Sequence, residues 1–426
     1  LGRKIKMVDK PNDMTIKKPH FESPVPRFIP VKSFLKRSFF LLGVFLLSLQ
    51  AESQDFNSFI TRLNALPEAN RQAAADSLLP ACQPIPWIEY DTMVHFIYKG
   101  AAASVGLVSD ATGWDSGKPF AHISGTNIWY FTDSYPADAR LEYQLVINDS
   151  VKILDPANPH IFTGGLGSNS EFRMPAYKLP PEISFHSTIP HGTLRDTTFH
   201  SSFLGNDRPV RIYLPHGYPS GNPSYPVILF NDGLEFITLC NANNILDYLI
   251  ARHLMAPVIA VFVPPVHRED EFTGDEADKY TQFIVSELMP VIDKRYKTSK
   301  DPGKRAIAGI SNGGNIALRT GIKHAEQFGK IAAMSSNVQR VISKNLSSRQ
   351  KQDISFYIDL GTCDLPALIP MVRNLRDILE KKGYHYQYHE WHDGHSWGNW
   401  KGHLRYPLIE FFPYPGQQNN NINQKP

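Results

Sequence analysis

The chain has 426 residues, 42% of them hydrophobic, and its 44 basic and 41 acidic residues give a formal net charge of +3. A single hydrophobic core seldom grows beyond about 250–300 residues, so two domains are expected. The nearly balanced charge argues against nucleic acid as a main partner. Three cysteines, Cys82, Cys240 and Cys363, leave at least one unpaired, so no disulfide framework is predicted.

Residues 1–54 have the pattern of a leader or signal peptide. Lys32, Lys36 and Arg37 precede an apolar run at residues 39–49, and the small-residue sequence at 51–53 is typical of a cleavage site. The run is short for a bilayer span, so we expect export to the periplasm or the medium without stable membrane insertion. A retained membrane anchor is the alternative.

Two patterns follow one another in the next part of the chain. Residues 55–84 favour a short helical segment with a break at Pro67. Residues 85–180 alternate in short apolar pieces, such as 94–98 and 141–147, between Gly, Asn, Asp and Pro. This second pattern predicts a β-sandwich of about a hundred residues, followed by a linker at 181–195. Trp114 and Trp129 could stack on sugar rings, although a Trp on a sandwich strand more often packs in the core.

Strand and helix patterns alternate from residue 196 to residue 413. Residues 210–215, 226–231 and 258–263 favour buried strands, and helices are predicted from about residue 244 to 252 and from about 275 to 296. The alternation predicts a doubly wound, mostly parallel α/β sheet. Functional residues of such sheets lie at the carboxyl ends of the strands. The tail at 414–426 is rich in Asn and Gln, and we expect it to be disordered.

A Gly-x-Ser-x-Gly motif interrupts the apolar run at 305–310. Gly309 and Gly313 flank Ser311 two places to either side, where side chains would collide in a sharp strand-to-helix turn. The motif alone is weak evidence, because similar short sequences occur by chance and in phosphate-binding turns. It predicts the nucleophile elbow of an α/β-hydrolase, with Ser311 as the nucleophile and the amide of Asn312 as an oxyanion donor.

In this fold an acid and then a histidine follow the serine along the chain. His395, in a loop that leads into an apolar Trp, is the predicted base. Three carboxylates are candidates for the acid. Asp359 lies within a predicted strand and Asp393 is only two residues from His395, whereas Asp364 lies just beyond the strand. Asp364 is therefore preferred.

Several other histidines crowd the same region, at positions 385, 389, 392 and 403. His389 and His392 have the spacing of neither a helix pair nor one face of a strand, and a zinc site would need a third ligand. We predict neither a metal nor a cofactor.

Residues from about 196 to 412 resemble the esterase D and enterochelin esterase group of α/β-hydrolases. The matching pieces occur in order: residues 213–218, 230–233, Arg268 with Glu271, 287–290, 309–314, and 394–397 with Trp400. Residues 94–158, with Tyr143 and the turn at 155–159, resemble the early-set immunoglobulin-like domains that precede glycan-branching enzymes and some esterases.

The resemblance implies a serine carboxylic ester hydrolase that forms an acyl-serine, with the amides of Asn312 and Leu234 in the oxyanion hole. It does not decide whether the substrate is a siderophore-type ester or a feruloyl or acetyl ester linked to a polysaccharide. The expected partner is therefore a small-molecule or glycan ester. Arg268, Glu271 and Trp397 are candidate substrate contacts, although Arg268 and Glu271 could equally be an ion pair that fixes the loop.

Two other functions stay open: an acyltransferase, and a noncatalytic glycan-binding protein built on a hydrolase scaffold. Since every catalytic candidate lies after residue 230, the sandwich is expected to bind substrate without supplying a catalytic group.

Overall fold

A computed structural model describes residues 55–79, 85–115, 117–220 and 224–416. The predicted leader, Cys82 and most of the predicted tail lie outside these residues. Two helices come first, α1 (Phe56–Ala65) and α2 (Glu68–Leu78). The side chain of Asp55 caps α1 by accepting from the amide of Ser58 at 2.6 Å. The buried face of α1 packs on Trp87 and Ile97, so these helices cover one side of the strands that follow.

Two antiparallel sheets make up the next part of the chain. One sheet has the order β1-β2-β6-β5, and the other has the order β4-β3-β7-β10-β9 with β8 paired to β7. Their side chains share one core, which includes Phe96 from the first sheet and Tyr143 and Phe172 from the second. The strands are β1 (Trp87–Glu89), β2 (Met93–Lys99), β3 (Val105–Ser109), β4 (Lys118–Pro119), β5 (Ala121–His122), β6 (Ile128–Ser134), β7 (Arg140–Ile147), β8 (Val151–Ile153), β9 (Ile161–Gly164) and β10 (Gly167–Arg173).

This arrangement is a sandwich in outline, and its membership of the early-set immunoglobulin-like class stays a prediction. The two tryptophans proposed for sugar stacking have partners within the protein. Trp129 packs against the sandwich core, and Trp114 donates from Nε1 to Asp110 at 3.0 Å.

The largest sheet has eight strands in the order β11-β12-β14-β13-β15-β16-β17-β18. The β11/β12 and β12/β14 pairs are antiparallel, and the remaining pairs are parallel. The sheet begins at Thr193, three residues before the predicted start of this domain. The strands are β11 (Thr193–Ser201), β12 (Asn206–Leu214), β13 (Val227–Asn231), β14 (Ile259–Val263), β15 (Arg305–Ile310), β16 (Lys330–Met334), β17 (Ser355–Cys363) and β18 (His385–Gly394).

Helices cover both faces of this sheet, as expected for an α/β fold. Alternate residues of β13 enter different cores: Leu229 belongs to one apolar cluster and Phe230 to the other. The helices are α3 (Gly233–Thr238), α4 (Ala242–Ala251), α5 (Arg268–Phe272), α6 (Ala277–Gln282), α7 (Met289–Arg295), α8 (Asn312–Lys323), α9 (Arg340–Ser348), α10 (Leu368–Lys381), α11 (Trp397–His403) and α12 (Arg405–Phe411).

The prediction of a long helix at 275–296 is wrong in one respect, because the segment is not a continuous α-helix. A π-helical stretch, Phe283–Leu288, separates α6 from α7. Pro290 at the start of α7 lacks the amide hydrogen that a regular helical ladder would use there. Within the described ranges, no helix is both long enough and apolar enough to cross a bilayer.

Candidate active site

Ser311 lies between β15 and α8 in a backbone conformation that side chains rarely adopt, with φ 50° and ψ −121°. Its amide donates to the carbonyl of Met334 on the neighbouring strand at 2.9 Å. A Cβ atom at Gly309 would overlap the carbonyl of Gly313, and one at Gly313 would overlap the carboxylate of Asp232. The glycines therefore permit the close packing that holds Ser311 in this turn.

The structure brings Ser311, His395 and Asp364 together at the carboxyl edge of the sheet. Nε2 of His395 lies 3.1 Å from Oγ of Ser311, and Nδ1 lies 2.7 Å from Oδ1 of Asp364. The buried carboxylate of Asp364 also accepts from the amides of Leu365 at 2.7 Å and Gly361 at 3.3 Å. With the proton on Nδ1, His395 donates to Asp364 and can accept the hydroxyl proton of Ser311.

The two competing carboxylates have other partners. Asp359 accepts from the hydroxyl of Tyr357 at 3.0 Å and from Nε1 of Trp391 at 3.3 Å, and burial raises its pKa to about 7. Asp393 accepts from the amide of Gly394 at 2.8 Å and pairs with Arg140 at 3.3 Å. Neither is hydrogen-bonded to His395, so the geometry favours Asp364 as the acid.

The two predicted oxyanion donors lie at the first turns of two helices. Asn312 is the first residue of α8 and Leu234 is the second residue of α3. The carboxylate of Asp232, just before α3, packs against Gly313, so the two helix starts are neighbours. The side chain of Asn312 donates to Glu269 at 2.7 Å, which leaves its main-chain amide as the candidate donor.

Arg268 lies at the start of α5, beside this edge of the sheet. Its Nε and Nη2 donate to the two oxygens of Asp232 at 2.6 and 3.1 Å, and 35% of its side chain is exposed. Burial raises the pKa of Asp232 to about 6, although Arg268 favours the ionised carboxylate. Contact of the exposed part of Arg268 with a substrate stays a prediction.

The prediction that Glu271 contacts substrate is wrong. Its side chain is fully buried and paired with Arg208, with two contacts of 3.0 Å. It also accepts from the amides of Val266 and His267 at 3.2 Å. Glu271 therefore fixes the loop that leads into α5, which was the alternative interpretation, and its partner is Arg208 rather than Arg268.

Trp397, the third predicted substrate contact, is the first residue of α11 and is mostly buried. Its ring packs edge-on against Phe236 and Trp400, with centroids 5.5 and 5.2 Å apart. It also lies against Gly164 and Gly165 at the tip of the β9–β10 hairpin. The structure thus gives Trp397 a packing position between the two domains, and contact with substrate stays a prediction.

The neighbouring histidines are engaged in ring and ion-pair contacts. His403 stacks on Trp391 with centroids 4.0 Å apart, and burial lowers its pKa to about 3. His389 also stacks on Trp391, with centroids 4.9 Å apart, and His392 contacts Asp138 at 2.5 Å. Among the described residues, no group of three or more His, Cys, Asp or Glu side chains is arranged to hold a metal ion.

Sequence reasoning missed the buried charges that the sandwich places beside His395, above all Arg140 and Asp110. The signal in the sequence was a pair of charged residues, Arg140 and Glu142, that alternate with apolar residues in a predicted strand. Alternation shows that such residues share one face of a strand, but it does not identify their partners.

Comparisons with known proteins find relatives that are named as esterases. An endo-1,4-beta-xylanase/feruloyl esterase of Xylanibacter ruminicola is 26% identical over 259 residues, which are 58% of this chain. The match spans only 35% of that relative's length. An acetyl esterase of Caldicellulosiruptor saccharolyticus is 23% identical over 251 residues, covering 48% of this chain and 93% of the relative.

Among solved structures, the enterochelin esterase of Shigella flexneri has a similar fold. The TM-score is 0.63 at 20% identity, and the match covers 76% of this chain and 93% of that one. Residues 201–411, which include Ser311, Asp364 and His395, match the family described as "Putative esterase". Residues 201–411 are therefore identified as a domain of the family described as "Putative esterase".

Proposed function

We propose that the protein is a serine carboxylic ester hydrolase that works through an acyl-serine intermediate. The observation that carries this proposal is the chain of two hydrogen bonds from Ser311 through His395 to Asp364, at 3.1 and 2.7 Å. It lies at the elbow of a domain that belongs to an esterase family. A serine, an imidazole and a buried carboxylate in this order are the parts that acyl transfer requires.

In the proposed reaction, Oγ of Ser311 attacks the ester carbonyl while Nε2 of His395 takes its proton. The carbonyl oxygen becomes an oxyanion, which the main-chain amides of Asn312 and Leu234 stabilise. Losing one such donor typically costs about 3 kcal/mol of barrier. His395 then gives the proton to the leaving alcohol, and a water molecule hydrolyses the acyl-serine by the same steps in reverse order. Asp364 keeps the proton of His395 on Nδ1 and stabilises the imidazolium.

The charges around the elbow favour an uncharged ester. Of the charged groups that most affect the ionisation of Asp232 beside the elbow, one is a guanidinium, Arg268, and two are carboxylates, Glu235 and Glu269. A polyanionic ferric siderophore would be repelled by this excess of negative charge, whereas a feruloyl or acetyl ester on a neutral polysaccharide would not. The names of two relatives, a feruloyl esterase and an acetyl esterase, support the same substrate class.

The test is a panel of p-nitrophenyl acetate, a feruloylated arabinoside, acetylated xylan and ferric enterobactin, with Ser311→Ala as the matched control. We expect turnover of the first three, and a loss on the order of a million-fold in Ser311→Ala because the nucleophile is removed while the turn remains. Equal turnover by both proteins would contradict the acyl-serine mechanism. Preferred hydrolysis of ferric enterobactin would overturn the substrate class, and transfer to an added alcohol in preference to water would indicate an acyltransferase.

Export remains a separate proposal, which rests on the sequence pattern of residues 32–53. The mass of the protein recovered from the exported fraction of its host should correspond to cleavage near residue 53. Recovery of the uncleaved chain with the membranes would support the anchor instead.

A further inference from the structure

Arg140, the first residue of β7, is a buried arginine at the contact between the sandwich and the turn that carries His395. Its Nη1 donates to Oγ of Ser396 at 2.9 Å and lies 3.3 Å from Oδ1 of Asp393. Only 2% of its side chain is exposed. One guanidinium group therefore holds the residue that follows His395 and the residue two places before it.

Carboxylates of the sandwich hold this guanidinium from the other side. Nε of Arg140 donates to Glu171 at 2.9 Å, and Nη2 donates to Glu142 at 2.8 Å. The ring of Phe162 lies 4.8 Å from its central carbon. A planar guanidinium with several fixed partners has little freedom to rotate. The donors of Arg140 that face the turn at residues 393–396, here called the histidine turn, are therefore held in place.

Two glycines of the histidine turn allow this close approach. A Cβ atom at Gly394 would overlap the carboxylate of Asp110, and one at Gly398 would overlap the guanidinium of Arg140. Asp110 is itself fixed, because it accepts from the amide of Glu142 at 2.8 Å and from Nε1 of Trp114 at 3.0 Å. The sandwich thus touches the turn immediately before and after His395.

Stability alone is a poor explanation for this cluster. Removing charged groups from water is costly, and well-packed apolar side chains in place of all the partners often stabilise a protein as well as a buried ion pair does. What a hydrogen-bonded guanidinium adds is direction, since its donors bond only to acceptors in fixed positions. The acceptors that it bonds here belong to Asp393 and Ser396, on either side of His395 along the chain.

We propose that Arg140 is a positioning residue for the esterase reaction. It holds the turn at residues 393–396 so that His395 stays between Ser311 and Asp364, and through it the sandwich completes the catalytic geometry. This inference rests on the proposed function. It also extends the expectation from the sequence, in which the sandwich only binds substrate.

The test compares Arg140→Met with Arg305→Met in the full chain. Arg305 is also a buried, ion-paired arginine, with Nε donating to the carbonyl of Ser299 at 2.5 Å and Nη2 to Asp293 at 2.6 Å. It begins β15, at the end of the strand opposite Ser311. For p-nitrophenyl acetate, we expect Arg140→Met to lower kcat about 100-fold with KM changed less than about threefold. Arg305→Met should keep kcat within about threefold of the wild type.

A second readout does not depend on turnover. The proton that His395 shares with Asp364 should give a low-field resonance in the NMR spectrum of the wild type and of Arg305→Met. The resonance should be broadened or lost in Arg140→Met and partly restored in Arg140→Lys, which keeps the charge without the fork. Should Arg140→Met fail to fold, Ser396→Ala removes one of the contacts and should lower kcat about tenfold with a weaker resonance.

Each outcome separates this inference from the proposed function. Wild-type kcat and an unchanged resonance in Arg140→Met, or in Ser396→Ala where Arg140→Met does not fold, would overturn the positioning role and leave the esterase proposal intact. An equal loss in Arg305→Met would also overturn it, because general destabilisation would then explain the effect. If the wild type hydrolysed no ester, the proposed function would fail, while the resonance would still show whether Arg140 holds His395 against Asp364.

Discussion

Ser311 and His395 meet at one edge of the large sheet, but the molecule holds them in different ways. Ser311 is held by backbone packing inside the α/β domain, where Gly309 and Gly313 let the strand and helix approach each other. The turn of His395 is held by a charged side chain of the other domain, Arg140, which is 253 residues from Asp393 in the sequence. The nucleophile thus depends on contacts within its own domain, whereas the turn of the base also depends on contacts with the other domain.

Substitutions at the two halves of the site should therefore differ in their effects on stability and activity. A change at the elbow acts on main-chain atoms of the α/β core, so we expect it to affect folding together with activity. A change at the histidine turn acts on side chains between two domains, so activity should fall more than stability. Three experiments test the contrast, in decreasing order of their expected effect on turnover.

The largest effect is expected at the acid that orients His395. Asp364→Asn should lower kcat on the order of ten-thousand-fold, because an amide no longer keeps the histidine proton on Nδ1. Asp393→Asn removes the negative charge from only one of the contacts between the turn and Arg140, so a loss of about tenfold is expected. Steady-state kinetics on p-nitrophenyl acetate measure both variants, and a larger loss in Asp393→Asn would show that the acid is misassigned.

The second experiment compares one glycine on each side of the site. In Gly309→Ala the new methyl group overlaps main-chain atoms, so the free energy of unfolding should fall by about 3 kcal/mol or more. In Gly398→Ala it overlaps the guanidinium of Arg140 rather than main-chain atoms, so Arg140 must give up contacts with the turn. We expect kcat to fall about 100-fold and stability to fall by less than in Gly309→Ala. Urea unfolding and kcat are measured on the same samples. A larger loss of stability in Gly398→Ala than in Gly309→Ala would contradict the expected difference between the two sides of the site.

The smallest effect on turnover is expected at Asp359, a buried carboxyl of the domain interior. Its pKa is about 7 in the folded state and near 4 when unfolded, so between these pH values the unfolded state binds fewer protons. Stability contributed by the neutral carboxyl is therefore lost as the pH rises from about 4 to 7. Asp359→Asn should remove this pH dependence, which corresponds to a change on the order of 4 kcal/mol in the free energy of unfolding. Its kcat should stay within about threefold of the wild type.

Denaturant unfolding of both proteins at several pH values measures this slope. Parallel pH profiles for the wild type and Asp359→Asn would mean that this carboxyl is ionised in the fold. A large loss of kcat would mean that Asp359 takes part in the reaction.

The amino-acid sequence by itself determined the elements around Ser311 and the order of the candidate acid and base. A strand, a turn and a helix flank Ser311 in the structure, because the glycine spacing and the apolar run act over a few neighbouring residues. Asp364 could be preferred over Asp359 because a residue within a buried strand faces a core, whereas a residue just beyond its end faces the functional edge.

Only the tertiary structure decided which charged residues pair. Arg268 and Glu271 are three residues apart, yet Arg268 pairs with Asp232 and Glu271 with Arg208. In the same way, Arg140 could be identified as a charged residue in a strand, but not as a partner of Asp393. Periodicity determines the face on which a side chain lies, whereas its partner depends on how separate elements pack, which no local pattern encodes.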